Sequence, residues 1–128
     1  MSEIRVTTLK DTSGGNSSST ADIYSGRAKA WVNWNGVSTV AIRASFNVNS
    51  ITDVGTGHFT VNFTTSFSDT NYCFAGGGQR QNNVVLGANH ICSANPEVPM
   101  ATGSLRVSTT NDQGDLLDSL VNTLQFFR

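Results

Sequence analysis

The chain has 128 residues, room for one domain around one core, with a formal net charge of −1 and 13% charged residues. That balance excludes charge-driven binding to a nucleic-acid backbone or an anionic membrane. Ser, Thr, Asn and Gly fill 55 positions while Glu and Lys occur twice each, a turn-rich composition poor in helix formers that points to an all-β domain. No apolar run approaches the roughly 18–20 residues of a membrane span. The opening MSEIRVTTLK lacks the apolar centre of a signal peptide. The expectation is synthesis in a cytosol, with no membrane insertion.

In chain order, Ile4 to Lys10 alternates weakly and reads as a strand or an extended arm. Asp11 to Thr20, DTSGGNSSST, is a loop or linker by composition, and Asp22 to Ser25 suggests one helical turn. The expected organisation is an arm and linker over residues 1–20 and a β-domain over 21–128.

Arg27 to Trp34 alternates as a strand, with Ala28, Ala30, Val32 and Trp34 on one side and Lys29, Trp31 and Asn33 on the other. Asn35-Gly36 is a hairpin signal of the type I′ kind, returning through Val37 to Ala44. Phe46 to Thr52 reads as a third strand and Asp53 to Gly57 as a turn. His58 to Thr65 is the cleanest alternation, Phe59, Val61 and Phe63 against Thr60, Asn62 and Thr64. Together these segments predict a four-stranded antiparallel meander.

Tyr72 to Ala75 starts a strand that runs into Gly76-Gly77-Gly78. Gln79 to Thr102 predicts one or two short strands and long loops, since its two prolines exclude a central strand. Leu105 to Thr110 is a strand, Asn111 to Asp115 a turn, and Ser119 to Phe127 a final strand with bulky apolar residues on both sides.

The chain carries no recognisable catalytic motif. His58 and His90 stand alone, with no G-x-S-x-G elbow. Asp112, Asp115 and Asp118 cluster at a turn without the ligand spacing of a calcium loop, and the triglycine lacks the Lys-Ser/Thr of a phosphate-binding loop. Cys73 and Cys92 match no zinc or redox motif and read as small buried thiols, a disulfide being the alternative.

GRAKAWVNWNG followed by TVAIRASFNVNSITDVGTGHFTVNFTT, the preceding DTSGGNSSST, the DTNY at Asp69 to Tyr72 and the terminal Phe-Phe-Arg together carry a resemblance. The chain resembles the C-terminal domains of bacteriophage tail-fibre and related virion proteins, of the marine and cyanobacterial phage type. The resemblance spans about residues 6–75 and the last strand. It implies an antiparallel β-sandwich knob, jelly-roll-like, homotrimeric at the distal end of a fibre on a virion made in bacterial cytoplasm. It implies recognition of a host surface, glycan or protein, by a non-enzymatic domain with no cofactor and no metal. The alternative expectation is a purely structural trimerisation or decoration domain.

On this reading Trp34 belongs to the core, and Trp31, with Phe127, to a subunit interface or a ligand. The weakly periodic stretch after the triglycine supplies the expected ligand contacts: Arg80, Asn82, Asn83, Asn89 and His90, which carry the guanidinium, amide and imidazole groups that sugars require.

Overall fold

Apolar side chains at every second position make a strand with one dry side, and such strands are stable only when two dry sides meet. The computed structural model describes residues 2–79, 91–111 and 113–128, with the backbone alone for 91–93. Its elements are β1 (Thr8–Lys10), β2 (Ser17–Ser19), α1 (Thr20–Gly26), β3 (Ala30–Asn35), β4 (Ala41–Phe46), β5 (Val48–Gly55), β6 (His58–Phe63), β7 (Cys73–Gln79), β8 (Ile91–Ala94), β9 (Ser104–Thr110) and β10 (Val121–Phe127). Two four-stranded antiparallel sheets, ordered β4-β3-β10-β7 and β5-β6-β9-β8, pack face to face. The all-β sandwich expected from the sequence is the observed fold.

The core lies between the sheets. The first sheet contributes Ala30, Val32, Trp34, Leu124 and Phe126; the second contributes Val48, Phe59, Val61, Phe63, Leu105 and Val107. Burying each large side chain stabilises the fold by about 1.5–3 kcal/mol. At one end Phe63 meets Phe67 and Phe126 edge-on, with ring centroids 4.8 and 4.9 Å apart, and Phe67 stacks on Tyr72 at 4.6 Å. Tyr72 donates its hydroxyl proton to the Ala101 carbonyl at 3.0 Å, and burial pushes its phenol pKa above the ordinary value. The Asp69 carboxylate, three residues before it, pairs with Arg128. Hydrogen bonds from that guanidinium and from the Asn71 amide hold the Asp69 pKa below the usual carboxylate value. The two strings DTNY and Phe-Phe-Arg therefore meet in space.

Three local expectations are corrected. The meander is split: β3 and β4 form a hairpin in one sheet, β5 and β6 a hairpin in the other. Asn47 alone separates β4 from β5, and it turns the chain between sheets with φ 54°. An asparagine suits this corner because it tolerates the left-handed region and can use its side chain as backbone. Its Nδ2 donates to the carbonyls of Lys29 at 3.2 Å and Thr65 at 3.1 Å, while its Oδ1 accepts from the Thr65 amide at 2.7 Å.

Asn35-Gly36 is not a type I′ turn, for neither residue has positive φ; β3 and β4 are joined by residues 36–40. Gly36 is required by crowding instead. A Cβ there would lie 2.9 Å from Phe59 Cζ and 3.0 Å from the Ser119 carbonyl.

The loop-or-linker stretch is shorter than expected: its residues Ser17–Ser19 pair with Thr8–Lys10 in a small hairpin, which gives the strand alternative at 8–10 and leaves 11–16 as the loop. Ser19 then caps α1, accepting from the Asp22 amide at 3.0 Å, and that helix buries none of its residues. The triglycine lies within β7, where a side chain at Gly76 would strike the Thr123 carbonyl and Leu124 Cδ2.

Candidate functional site

The two sheets turn very different outer faces to water. On the second, Asn62 donates to Ser50 Oγ at 3.1 Å and Thr52 Oγ1 at 2.9 Å, and Arg106 Nε donates to Thr60 Oγ1 at 3.2 Å. His58 Nδ1 lies 3.2 Å from Asn95 Nδ2 and 3.1 Å from Ser108 Oγ, both on buried residues. This face is a hydroxyl and amide ladder whose groups largely satisfy one another. His58 has amide and hydroxyl partners and no carboxylate among the described residues, so no nucleophile, base and acid triad is assembled around it there.

The first sheet's outer face is not closed in this way. Register sets Phe46, Trp31, Gln125 and Ala75 side by side across its four strands, with Ala44, Asn33, Thr123 and Gly77 in the next row. Neither row contains a charged residue. Trp31 is 39% exposed and Phe46 55%. A groove of about 410 Å³ opens here, lined by Ala28, Trp31, Asn33, Ala44, Thr123 and Gln125 among others. The small alanines leave the space, and the tryptophan and amides supply its chemistry.

The polar groups of this groove retain capacity. Thr123 donates to the Gly77 carbonyl at 3.2 Å and keeps its lone pairs. Asn33 uses its oxygen to accept from Arg43 at 3.4 Å, leaving its NH₂ to donate outward. The Trp31 indole N–H and the Gln125 carboxamide make no hydrogen bond among the described residues. Two cations stand near the lining without belonging to it: Arg43, which bonds Asn33 and also donates to the carbonyls of Trp34 at 3.3 Å and Leu120 at 2.8 Å, and Lys29, two residues before Trp31, whose ammonium lies over the Tyr24 ring.

Trp34 is fully buried and Trp31 exposed, as their opposite parity requires. Phe127 lies on the same outer face as Trp31, half-buried and paired with Cys73. Arg80, Asn82, Asn83, Asn89 and His90 lie outside the described residues, as does Asp112. Asp115 and Asp118 serve separate turns: Asp115 accepts from Asn111 Nδ2 at 3.0 Å, and Asp118 from the Gly57 amide at 2.8 Å. Among the described residues no cluster of acids, histidines and cysteines could hold a metal ion. Cys73 is a free and exposed thiol, which corrects the expectation of burial.

Asn33, Thr123 and Gln125 escaped the sequence reading as site residues. Their alternation with core positions was visible, but the placement of β10 beside β3 was not. Comparison of the chain with family models, with curated proteins and with solved structures gives no match.

Proposed function

We propose that this chain is a receptor-binding domain of the bacteriophage tail-fibre kind, non-enzymatic and homotrimeric, that holds a host-surface glycan. The observation that carries the reading is the groove on the first sheet's outer face: free of charged residues in its lining and furnished with an exposed tryptophan and unspent amides. Such a surface suits a polyhydroxylated, neutral partner better than a nucleic acid or a membrane. Among the described residues the candidates for acid–base chemistry are otherwise engaged, His58 with an amide and a hydroxyl, Asp115 and Asp118 with turns.

The trimer draws support from the N-terminal segment. Leu9, Ile23 and Tyr24 are 54%, 43% and 58% exposed there. A hairpin of two three-residue strands and a short helix with no buried face have little stability of their own. Tyr24 is held to the sandwich by Lys29, whose ammonium lies 3.4 Å above the ring centroid. Association of three copies through this segment covers its apolar side chains and leaves the sheet face open.

A structural virion part without ligand is the second reading, favoured by Phe46, whose 55% exposure suits a contact between subunits. A glycan array probed with the full chain, alongside adsorption to a panel of bacterial cells, separates the two. The receptor-binding reading predicts selective glycan signals and adsorption to some strains. Absence of both leaves only the structural part.

A further inference from the structure

We propose that the groove over Trp31 is a binding subsite for a neutral pyranose. The inference rests on the receptor-binding reading and gives it a place and a ligand class.

A pyranose ring has two kinds of surface. Its axial C–H bonds form an apolar face, and its hydroxyls form a polar rim that donates and accepts at once. An aromatic ring meets the first through dispersion and the attraction of C–H hydrogens to its negative face. Carboxamides meet the second, because each carries a donor and an acceptor. The groove offers both on one row of the sheet: Trp31 on β3, and Gln125 opposite it on β10. Asn33 and Thr123, opposite one another in the next row, add an NH₂ donor and hydroxyl lone pairs within one strand repeat.

Size and charge narrow the ligand. The volume of about 410 Å³ falls in the roughly 300–1,000 Å³ range of small-molecule clefts. No charged side chain lines it. A sialic acid, uronic acid or phosphorylated sugar would desolvate its anion there with no cation in the lining, and the Arg43 guanidinium beside Asn33 is already engaged by Asn33 and two backbone carbonyls, so the cost is poorly offset. A neutral sugar suffers no such penalty. The backbone register places Trp31 between Phe46 and Gln125 on the neighbouring strands, so the platform rises from a paired strand rather than from a loop.

The intact protein is titrated with neutral trisaccharides of glucose, galactose, mannose and N-acetylglucosamine, with sialyllactose as the charged control, by calorimetry and tryptophan fluorescence. Trp34 is buried, so acrylamide quenching reports Trp31. At least one neutral saccharide is expected to bind and shield Trp31. W31A should weaken it about tenfold or more, the scale of losing a stacked ring, and W31F should restore part. W31F should keep the parent's thermal midpoint within about 2 °C, and W31A, which removes a partly covered ring, should lower it by only a few degrees with folding intact. The double variant N33A/Q125A should also weaken binding.

Undiminished neutral-saccharide binding in W31A overturns the subsite and leaves the receptor-binding reading standing. Preference for sialyllactose overturns the neutral class. If no saccharide binds, and W31A instead lowers the number of copies in the assembly, Trp31 is a contact between subunits and the subsite is wrong. No saccharide binding with the assembly unchanged overturns it too. Absence of every array and cell signal removes the receptor-binding reading itself.

Discussion

Trp31 and Trp34 stand three positions apart on β3, and the odd spacing sends one ring to each side of the sheet. The inward ring meets Phe59 edge-on at 6.0 Å and is fully buried. Its Nε1–H has no acceptor among the described residues, and the carboxamide oxygen of Asn122, its register partner on β10, has no donor. A buried donor left unpaired costs about 1–3 kcal/mol, similar in size to the packing lost when indole becomes phenyl. W34F is therefore expected to change stability by no more than about 1 kcal/mol, whereas W34A, with its large cavity, should cost about 3–5 kcal/mol. Urea unfolding of the two variants checks this. A W34F loss as large as that of W34A would mean that the indole N–H is not a liability in this core.

At the scale of elements, the long alternations were legible and the corners were not. Phe59, Val61 and Phe63 announce the dry side of β6 because period two and one-sided burial are the same fact. The passage from β4 to β5 reads as continuous strand because Asn47 is the only residue between them. What makes it a sheet-to-sheet corner is a set of bonds to Lys29 and Thr65, 18 residues away on either side. The N-terminal hairpin was hidden for a related reason: Ser17–Ser19 pairs through its backbone, which leaves no apolar pattern. The groove suffered most, since it exists only where β10 lies beside β3. The candidates drawn instead from 80–90 rested on loop composition, and they lie outside the described residues. The triglycine shows the same long-range logic and can be tested by position. Gly76 faces the Thr123 backbone with no room for a methyl group, while nothing lies within 4 Å of a Cβ at Gly77. G76A should cost about 3 kcal/mol or more by forcing β7 off β10, and G77A should stay within about 1 kcal/mol. Thermal unfolding of the pair reads the difference directly, and equal midpoints would contradict the close approach of these strands.

The whole molecule divides its described surface by chemistry. One sheet face is a ladder of hydroxyls and amides bonded largely to one another, the other an uncharged groove with unspent donors, and the N-terminal segment holds exposed apolar side chains. On the proposed reading a single groove of this size would bind a sugar weakly, and three grooves on one assembly would raise the apparent affinity by roughly 10²–10⁴ where the geometry lets them engage together. Copy number is thus the claim on which adhesion depends. The measurement that tests it most directly is the mass of the intact protein by light scattering at micromolar concentration. The account predicts about three times the 13.6 kDa of one chain. A dimer would retain avidity and contradict the threefold assembly; a mass of one chain would contradict the multivalent mechanism outright.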